Sequence, residues 1–246
     1  MTQEVEAEAP LAVLADAHFS ENTPQKLDEF LAFLSRFPGD FQSLVLLGDL
    51  FDFWVGVKGP LLPHQQQVTE KIKEVRRLGA AVYYVEGNRD YSISRIDDGS
   101  LFDEVIRREG AFLSGGKRLL MAHGDLVNRA DWRYRAWRGL SRGVLAPLAL
   151  RILPSGLMLK LASRVENGLR GANASQRRGF PSRVCRDYAD TSFSRGFDAV
   201  IVGHFHYEEE IKMYHEGDLK SFYSVPSWRT SGKVLVVDRD GKLEFF

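Results

Sequence analysis

The stretch Leu44-Val45-Leu46-Leu47-Gly48-Asp49-Leu50-Phe51-Asp52-Phe53-Trp54 decides how this chain folds. Four consecutive apolar residues read as a strand buried on both faces, and the abrupt Gly-Asp that ends it leaves a carboxylate at the sheet's edge. The device recurs. Leu11-Ala12-Val13-Leu14-Ala15 runs into Asp16-Ala17-His18, and Ala81-Val82-Tyr83-Tyr84-Val85 runs into Gly87-Asn88-Arg89-Asp90. Leu119-Leu120-Met121 runs into His123-Gly124-Asp125, and Ala199-Val200-Ile201-Val202 into Gly203-His204-Phe205-His206. Five short apolar strands that end in Asp, His or Asn predict an α/β fold whose ligand crevice lies beyond the carboxyl ends of the strands.

Between these strands the periodicity turns helical. Pro24 stands where a helix can begin, and Leu27, Phe30, Leu31 and Leu34 follow at helical spacing before Pro38-Gly39. Gln65 to Leu78 reads as a second helix, with Val68, Ile72 and Val75 on one face and Gly79 as its stop. Strand, helix, strand, helix, strand predicts a parallel sheet with right-handed crossovers. Leu101 to Arg108 is expected to form a short helix, Gly115-Gly116 a turn and Arg118 to Ala122 the fourth strand. From Asp125 to about Arg186 the strand pattern gives way to Arg-rich, helix-compatible segments, expected to be a helical cap (125–186) inserted in one domain spanning 11–246, with 1–10 a flexible tail. Beyond His206, alternating segments at Glu210 to Tyr214, Ser221 to Val225, Val234 to Asp238 and Leu243 to Phe246 predict a second, largely antiparallel sheet packed on the first.

Composition is that of an ordinary globular protein: 44% hydrophobic and 27% charged residues over 246, with no formal net charge. The charge is unevenly spread, because Arg133 to Arg186 carries twelve Lys or Arg against the single acid Glu166. An acidic partner for that surface follows, while the absence of interleaved aromatics argues against nucleic acid. One cysteine, Cys185, excludes an internal disulfide and a Cys-based zinc cluster, and is expected to be buried structurally. Met1 to Pro10 lacks the basic and apolar regions of a signal peptide, and no stretch approaches the about 18 to 20 unbroken apolar residues of a spanning helix, so a cytoplasmic location is expected.

Asp16, His18, Asp49, Asn88, His123, His204 and His206 together offer carboxylate, amide and imidazole ligands without thiolate. Such a mixed set suits a divalent first-row ion, with Mn²⁺ expected and Fe²⁺, Co²⁺ or Zn²⁺ compatible. Seven ligands are too many for one catalytic ion with an open position. They suit two ions sharing a carboxylate, about 3.5 to 4 Å apart, an arrangement that clamps a phosphoryl group and activates water. His64 and His215 fall outside the set and are expected at the surface.

The ordered set Asp16-x-His18, Gly48-Asp49, Gly87-Asn88-Arg89-Asp90, His123-Gly124-Asp125 and Gly203-His204-x-His206 resembles the calcineurin-like metallophosphoesterase superfamily from about residue 11 to the end. The resemblance implies a four-layer α/β/β/α sandwich of two mixed sheets. It also implies Asp16, His18, Asp49 and His206 on one metal and Asn88, His123 and His204 on the other, with Asp49 bridging both. Arg89 replaces the histidine of the common Gly-Asn-His-Asp form, which turns the expectation away from phosphomonoester chemistry.

Within the superfamily, Gly-Asn-Arg-Asp, the run Gly48-Asp49-Leu50-Phe51-Asp52-x-Trp54 and an insert after His123-Gly124-Asp125 are similar to the UDP-2,3-diacylglucosamine diphosphatases of lipid A biosynthesis. That likeness implies Asn88, Arg89 and His123 as catalytic residues. It implies Asn88, Arg89, Asp131, Tyr134 and His204 as contacts to a nucleotide-diphosphate lipid. Phe205 departs from the family pattern of Thr or Arg at its position. The apolar and basic cap residues would serve acyl chains and peripheral contact with an anionic inner-membrane surface. A soluble nucleotide diphosphate of the CDP-alcohol or ADP-ribose type is the alternative substrate, and a non-catalytic binding module the alternative class. Oligomeric state is not legible.

Overall fold

A computed structural model of the protein describes residues 3–56, 59–128 and 179–246, and singly Trp132, Arg135, Ala136, Arg138 and Gly139. The described strands are β1 (Gln3–Glu6), β2 (Leu11–Leu14), β3 (Ser43–Leu46), β4 (Trp54–Val55), β5 (Ala81–Val85), β6 (Asp90–Tyr91) and β7 (Glu104–Ile106). They continue with β8 (Glu109–Ser114), β9 (Lys117–Ala122), β10 (Ala199–Val202), β11 (Glu209–His215), β12 (Asp218–Ser224), β13 (Leu235–Val237) and β14 (Leu243–Phe245). The helices are α1 (Pro24–Leu34), α2 (Pro63–Arg77), α3 (Ser182–Phe193) and the single turn α4 (Trp228–Ser231). Both α1 and α2 start on a proline, whose missing N–H would have no helical partner there anyway.

Two six-stranded mixed sheets carry the chain, ordered β14-β13-β2-β3-β5-β7 and β1-β8-β9-β10-β12-β11. Side chains alternate between the faces of each strand, and this alternation builds three cores. Leu11, Val13, Val45, Leu47, Tyr83 and Val85 of the first sheet meet Phe112, Leu119, Met121 and Ile201 of the second in the middle layer. The opposite faces of the same strands, Ala12, Leu14, Leu44, Leu46 and Val82, pack under Leu27, Phe30 and Leu34 of α1 and Val68 and Ile72 of α2. On the far side, Leu120, Val200, Val202 and Phe222 pack under Cys185, Ala189 and Phe193 of α3. Helix, sheet, sheet, helix is the four-layer sandwich expected, and Cys185 is buried as a free thiol.

Four local expectations are corrected. The segment 1–10, expected as a loose tail, contains β1, which pairs parallel with β8 from Gln3↔Gly110 to Glu6↔Leu113. Alternating Val5 and Ala7 pack against the middle core, and a four-residue strand at a sheet edge is too short to show in composition. Leu101 to Arg108 is not a helix: its centre is β7, held extended because Asp103 accepts the Val82 N–H at 2.7 Å and the guanidinium of Arg76. The four C-terminal strands do not form one sheet. Strands β11 and β12 join β9 and β10, whereas β13 returns antiparallel to β2 with β14 at its edge. His64, expected at the surface, is buried against the ring of Phe51, 5.8 Å between centroids.

The expected cap boundary at Arg186 falls inside α3. Most of the expected cap, residues 140–178 among them, lies outside the described residues. Its start is tied down: Asp125 pairs with Arg138 at 2.9 Å, both side chains buried.

Phe112 lies fully buried between the sheets, edge-on to Tyr83 at 5.6 Å. Phe112→Ala is expected to destabilise the protein by about 3 to 5 kcal/mol in urea unfolding. A loss no larger than that of a typical surface substitution would contradict this packing.

Candidate metal centre

Each candidate ligand follows directly on a buried strand. Asp16 and His18 lie beyond β2, Asp49 beyond β3 and Asn88 beyond β5, all in the first sheet. His123 follows β9, and His204 and His206 follow β10, both in the second sheet. The ends of the two sheets meet, and all seven side chains converge.

The convergence has two lobes. In one, His206 Nε2 lies 3.3 Å from Asp16 Oδ1 and 3.4 Å from His18 Nε2, which is itself 3.8 Å from Asp16 Oδ1. In the other, Asn88 Oδ1 is 3.0 Å from both His123 Nε2 and His204 Nδ1. Asp49 stands between them, Oδ2 3.8 Å from His18 Nε2 and Oδ1 3.8 Å from His123 Nε2. The atoms that crowd together are therefore ligand atoms with few protons to share, and Asp16 Oδ1 is buried without a well-formed hydrogen bond. Two groups, Asp16 with His18 and His206, and Asp16 with Asp49 and His123, have ligand atoms close enough to hold a divalent ion. The donor set fits two such ions of the first transition row.

Supporting contacts fix the orientation of the ligands. His123 Nδ1 lies 2.7 Å from the Leu47 carbonyl, which can only accept, so Nδ1 carries the proton and Nε2 faces the cluster. Asp16 Oδ2 accepts the His204 backbone N–H at 2.7 Å, tying one sheet's loop to the other's. Asp90, buried behind the ligands, accepts Gly87 N–H at 2.6 Å, Leu50 N–H at 2.9 Å and the Tyr84 hydroxyl. One carboxylate thereby locks the turns that carry Asp49 and Asn88.

The geometry is strained where it is functional. Among the described residues seven non-glycines have positive φ, and five of them are Asp16, His18, Asp49, His204 and His206. Each such residue costs on the order of 1 to 3 kcal/mol and persists only where the surroundings enforce it. Close backbone approach does the enforcing: a Cβ on Gly87 would sit 2.6 Å from the Asp49 nitrogen, and one on Gly203 2.9 Å from Asp16 Oδ2.

Burial also sets the protonation states. It pushes His18 down to about 3 and His204 down to about 4, so both imidazoles are neutral and ready to ligate. Burial opposes charge on Asp16, yet the long hydrogen bond from His206 and the charge of His123 win and hold it at about 2. Asp49 is pushed up to about 8 by burial, with Asp90 and Asp16 adding to the effect. Burial opposes charge on His123 as well, but Asp49, Asp16 and Asp125 raise it to about 9. The Asp49–His123 pair thus keeps a proton through neutrality when no cation is bound.

Arg89 lies at the rim, its Nη1 3.2 Å from Asp52 Oδ1 and its Nε 3.9 Å from Asp49 Oδ2, while its backbone N–H donates to Asp49 Oδ1 at 2.8 Å. Asp131 and Tyr134, expected to contact substrate, lie outside the described residues. His215, half-buried, pairs with Asp190 at 3.0 Å and takes no part in the cluster. Sequence reading gave no role to Asp52 or Asp90, although both stand inside the motifs. Ser227 and Arg229 carried no signal, because Pro226-Ser227 reads only as a turn. In the structure the Ser227 hydroxyl donates to the Asp16 carbonyl at 2.6 Å.

Residues 9–208 match the calcineurin-like phosphoesterase family, and the chain belongs to it. It is a metal-dependent hydrolase of that family. It is 25% identical over 231 residues to the UDP-2,3-diacylglucosamine hydrolase of Pseudomonas putida, covering 94% of this chain and 96% of that protein. Proteins of the same name from Psychromonas ingrahamii, 25% identical over 227 residues, and Ectopseudomonas mendocina, 26% over 239, cover 92% and 94% of this chain and 93% and 95% of their own length.

Cation binding has to expel the proton held by Asp49 and His123, because metal ligands must be deprotonated. Calorimetric titration of Mn²⁺ into the metal-free protein at pH 7, in buffers of different ionisation enthalpy, should show net proton release. Affinity should rise from pH 6 toward pH 9, as the bulk solution takes up the proton that competes with the ion. Binding with no proton release at pH 7 would contradict the raised values of the pair.

Proposed function

We propose that the chain hydrolyses the diphosphate of UDP-2,3-diacylglucosamine, giving UMP and 2,3-diacylglucosamine 1-phosphate, a step of lipid A biosynthesis. The observation that carries this reading is Arg89 at the rim of the cluster. A guanidinium cannot give up its proton, so the residue at this position cannot act as general acid to a departing alkoxide. It can place a fixed charge and a planar pair of donors on phosphate oxygens. A phosphate leaving group departs as a stable anion and needs no proton, which matches a diphosphate better than a phosphomonoester. The relatives' shared name agrees with that chemistry.

In this reading Asp16, His18, Asp49 and His206 would hold one cation, and Asn88, His123 and His204 together with Asp49 the other. Divalent ions there, Mn²⁺ by preference, would supply Lewis-acid stabilisation of phosphoryl charge and an activated water. Asn88, Arg89 and His204 orient the phosphates, with Asp131 and Tyr134 as further contacts. Water adds to the uridine-bearing phosphorus, the bond to the bridging oxygen breaks, and that oxygen leaves with the sugar phosphate. The segment 125–186, most of which lies outside the described residues, would receive the acyl chains with its apolar side chains. Its surplus of arginine holds the protein at the cytoplasmic face of an anionic membrane, each basic residue near such a surface contributing about 1 kcal/mol. No helix among the described residues is long and apolar enough to cross a membrane.

The purified protein with Mn²⁺ should release UMP from UDP-2,3-diacylglucosamine far faster than from UDP-glucosamine lacking acyl chains. Equal rates on the two would remove the lipid from the assignment. Arg89→Ala should keep its metals, counted in the purified variant, and lose about 10²-fold or more in rate, as misplacement of a reacting group does. Loss of the metals together with the arginine would make its role structural.

A further inference from the structure

Arg229 is anchored to the metal centre by its neighbours. The turn before it bridges Ala15 to Ser227, the Ser227 hydroxyl holds the Asp16 carbonyl, and Trp228 donates its N–H to the Ala15 carbonyl at 3.0 Å. Trp228 itself is buried against Phe30 and Phe33, ring centroids 5.8 and 5.4 Å away. The backbone that presents Arg229 is therefore as fixed as the loop that presents Asp16. Its side chain is 43% exposed and reaches Asp52, Nη1 3.6 Å from Oδ1. That same oxygen lies 3.2 Å from Arg89 Nη1 and 3.9 Å from His18 Nδ1. One half-exposed carboxylate thus gathers two guanidiniums beside a metal ligand. It can neutralise only one of them. Among the described residues Arg229 has no other ion-pair partner, and it lies beyond residues 9–208 that match the family.

We propose that Arg229 is a specificity-determining phosphate contact: together with Arg89 it binds the phosphate of a diphosphate ester that is not attacked. Arg89 touches both Asp49 and Asp52, so it spans from the metal ligands to the rim, and Arg229 stands one step further out. A phosphorus at the cluster lies within reach of Arg89, and the next phosphorus along the ester comes to Asp52 and Arg229. With the substrate absent, both guanidiniums share Asp52 Oδ1. With it bound, phosphate oxygens satisfy the charge that Asp52 leaves over, through charge-assisted hydrogen bonds. An ester with a single phosphorus gains nothing from Arg229. The inference rests on the proposed reaction only in requiring a diphosphate at the cluster, and needs neither acyl chain nor a particular sugar.

The test is competitive inhibition of bis(p-nitrophenyl) phosphate hydrolysis by UDP-glucose, with two phosphates, and by UMP, with one, in the Mn²⁺-loaded full chain. Arg229→Ala should weaken UDP-glucose by roughly tenfold or more, the scale of one lost hydrogen bond to a charged group, and UMP by much less. Arg229→Lys, which keeps the charge and loses the planar fork, should fall between and guards against a folding defect in the alanine variant. If the two inhibition constants move together, or neither moves, the inference is overturned. Failure of the unmodified protein to hydrolyse UDP-2,3-diacylglucosamine would remove the lipid assignment and leave this ratio standing.

Discussion

The carboxylate of Asp49 is held 3.8 Å from His18 on one side and 3.8 Å from His123 on the other, at a site only 2% exposed. Burying a carboxylate that tightly is unfavourable unless charge or hydrogen bonds answer it. The Arg89 N–H answers one oxygen, while burial and the nearby Asp90 and Asp16 push Asp49 up to about 8. A bound cation would supply the charge that favours its ionised form. The rest of the crevice follows from keeping that carboxylate in place: Gly87 lets one backbone come against another, and Asp90 ties the turns after β3 and β5 together from behind.

Neither sheet contains the site. The first contributes Asp16, His18, Asp49 and Asn88, the second His123, His204 and His206, and the middle core of Val13, Val45, Met121 and Ile201 sets how their ends meet. Metal binding at these residues would consequently be linked to the stacking of the two sheets. Asp16 makes the link explicit, since its Oδ2 receives the His204 backbone while its Oδ1 faces His206. Ligands that bind only the folded arrangement stabilise it by mass action, so the ions would also offset the left-handed strain at five of the ligands.

The convergence of the seven candidate ligands was legible because two strong signals coincide in this sequence. Fully buried strands read as unbroken apolar runs, and their ends are marked by Gly, Asp, Asn and His. Strand partnership was not legible. Periodicity along Val234 to Asp238 says which residues face a core, and it is silent about whether that strand sits beside β12 or returns to β2. For β1 and β7 the strands are too short to show a period, and β7 is anchored by contacts of Asp103 with the Val82 N–H and Arg76 that no local pattern announces. His64 was misplaced because an imidazole beside polar Gln65 and Gln66 gives no hint of the Phe51 ring that covers it. Arg229 is invisible for the same reason: its meaning comes from Asp52, 177 positions earlier.

Charge balance connects the cluster to its proposed substrate. With a dication in each lobe, the two ionised ligands Asp16 and Asp49 leave the centre two charges positive, the imidazoles and Asn88 adding none. The rim adds one more, because Asp52 offsets only one of Arg89 and Arg229. A diphosphate diester carries its two negative charges on adjacent phosphorus atoms, so it can meet the centre and the rim together. A phosphodiester brings one charge and leaves one of them unanswered. With the ions bound, the positive charge would be local to the crevice, in a chain whose formal net charge is zero. Attraction at the crevice therefore arises from placement rather than from composition. The buried cluster is screened by salt less than a surface patch would be, whereas Arg229, 43% exposed, is screened more.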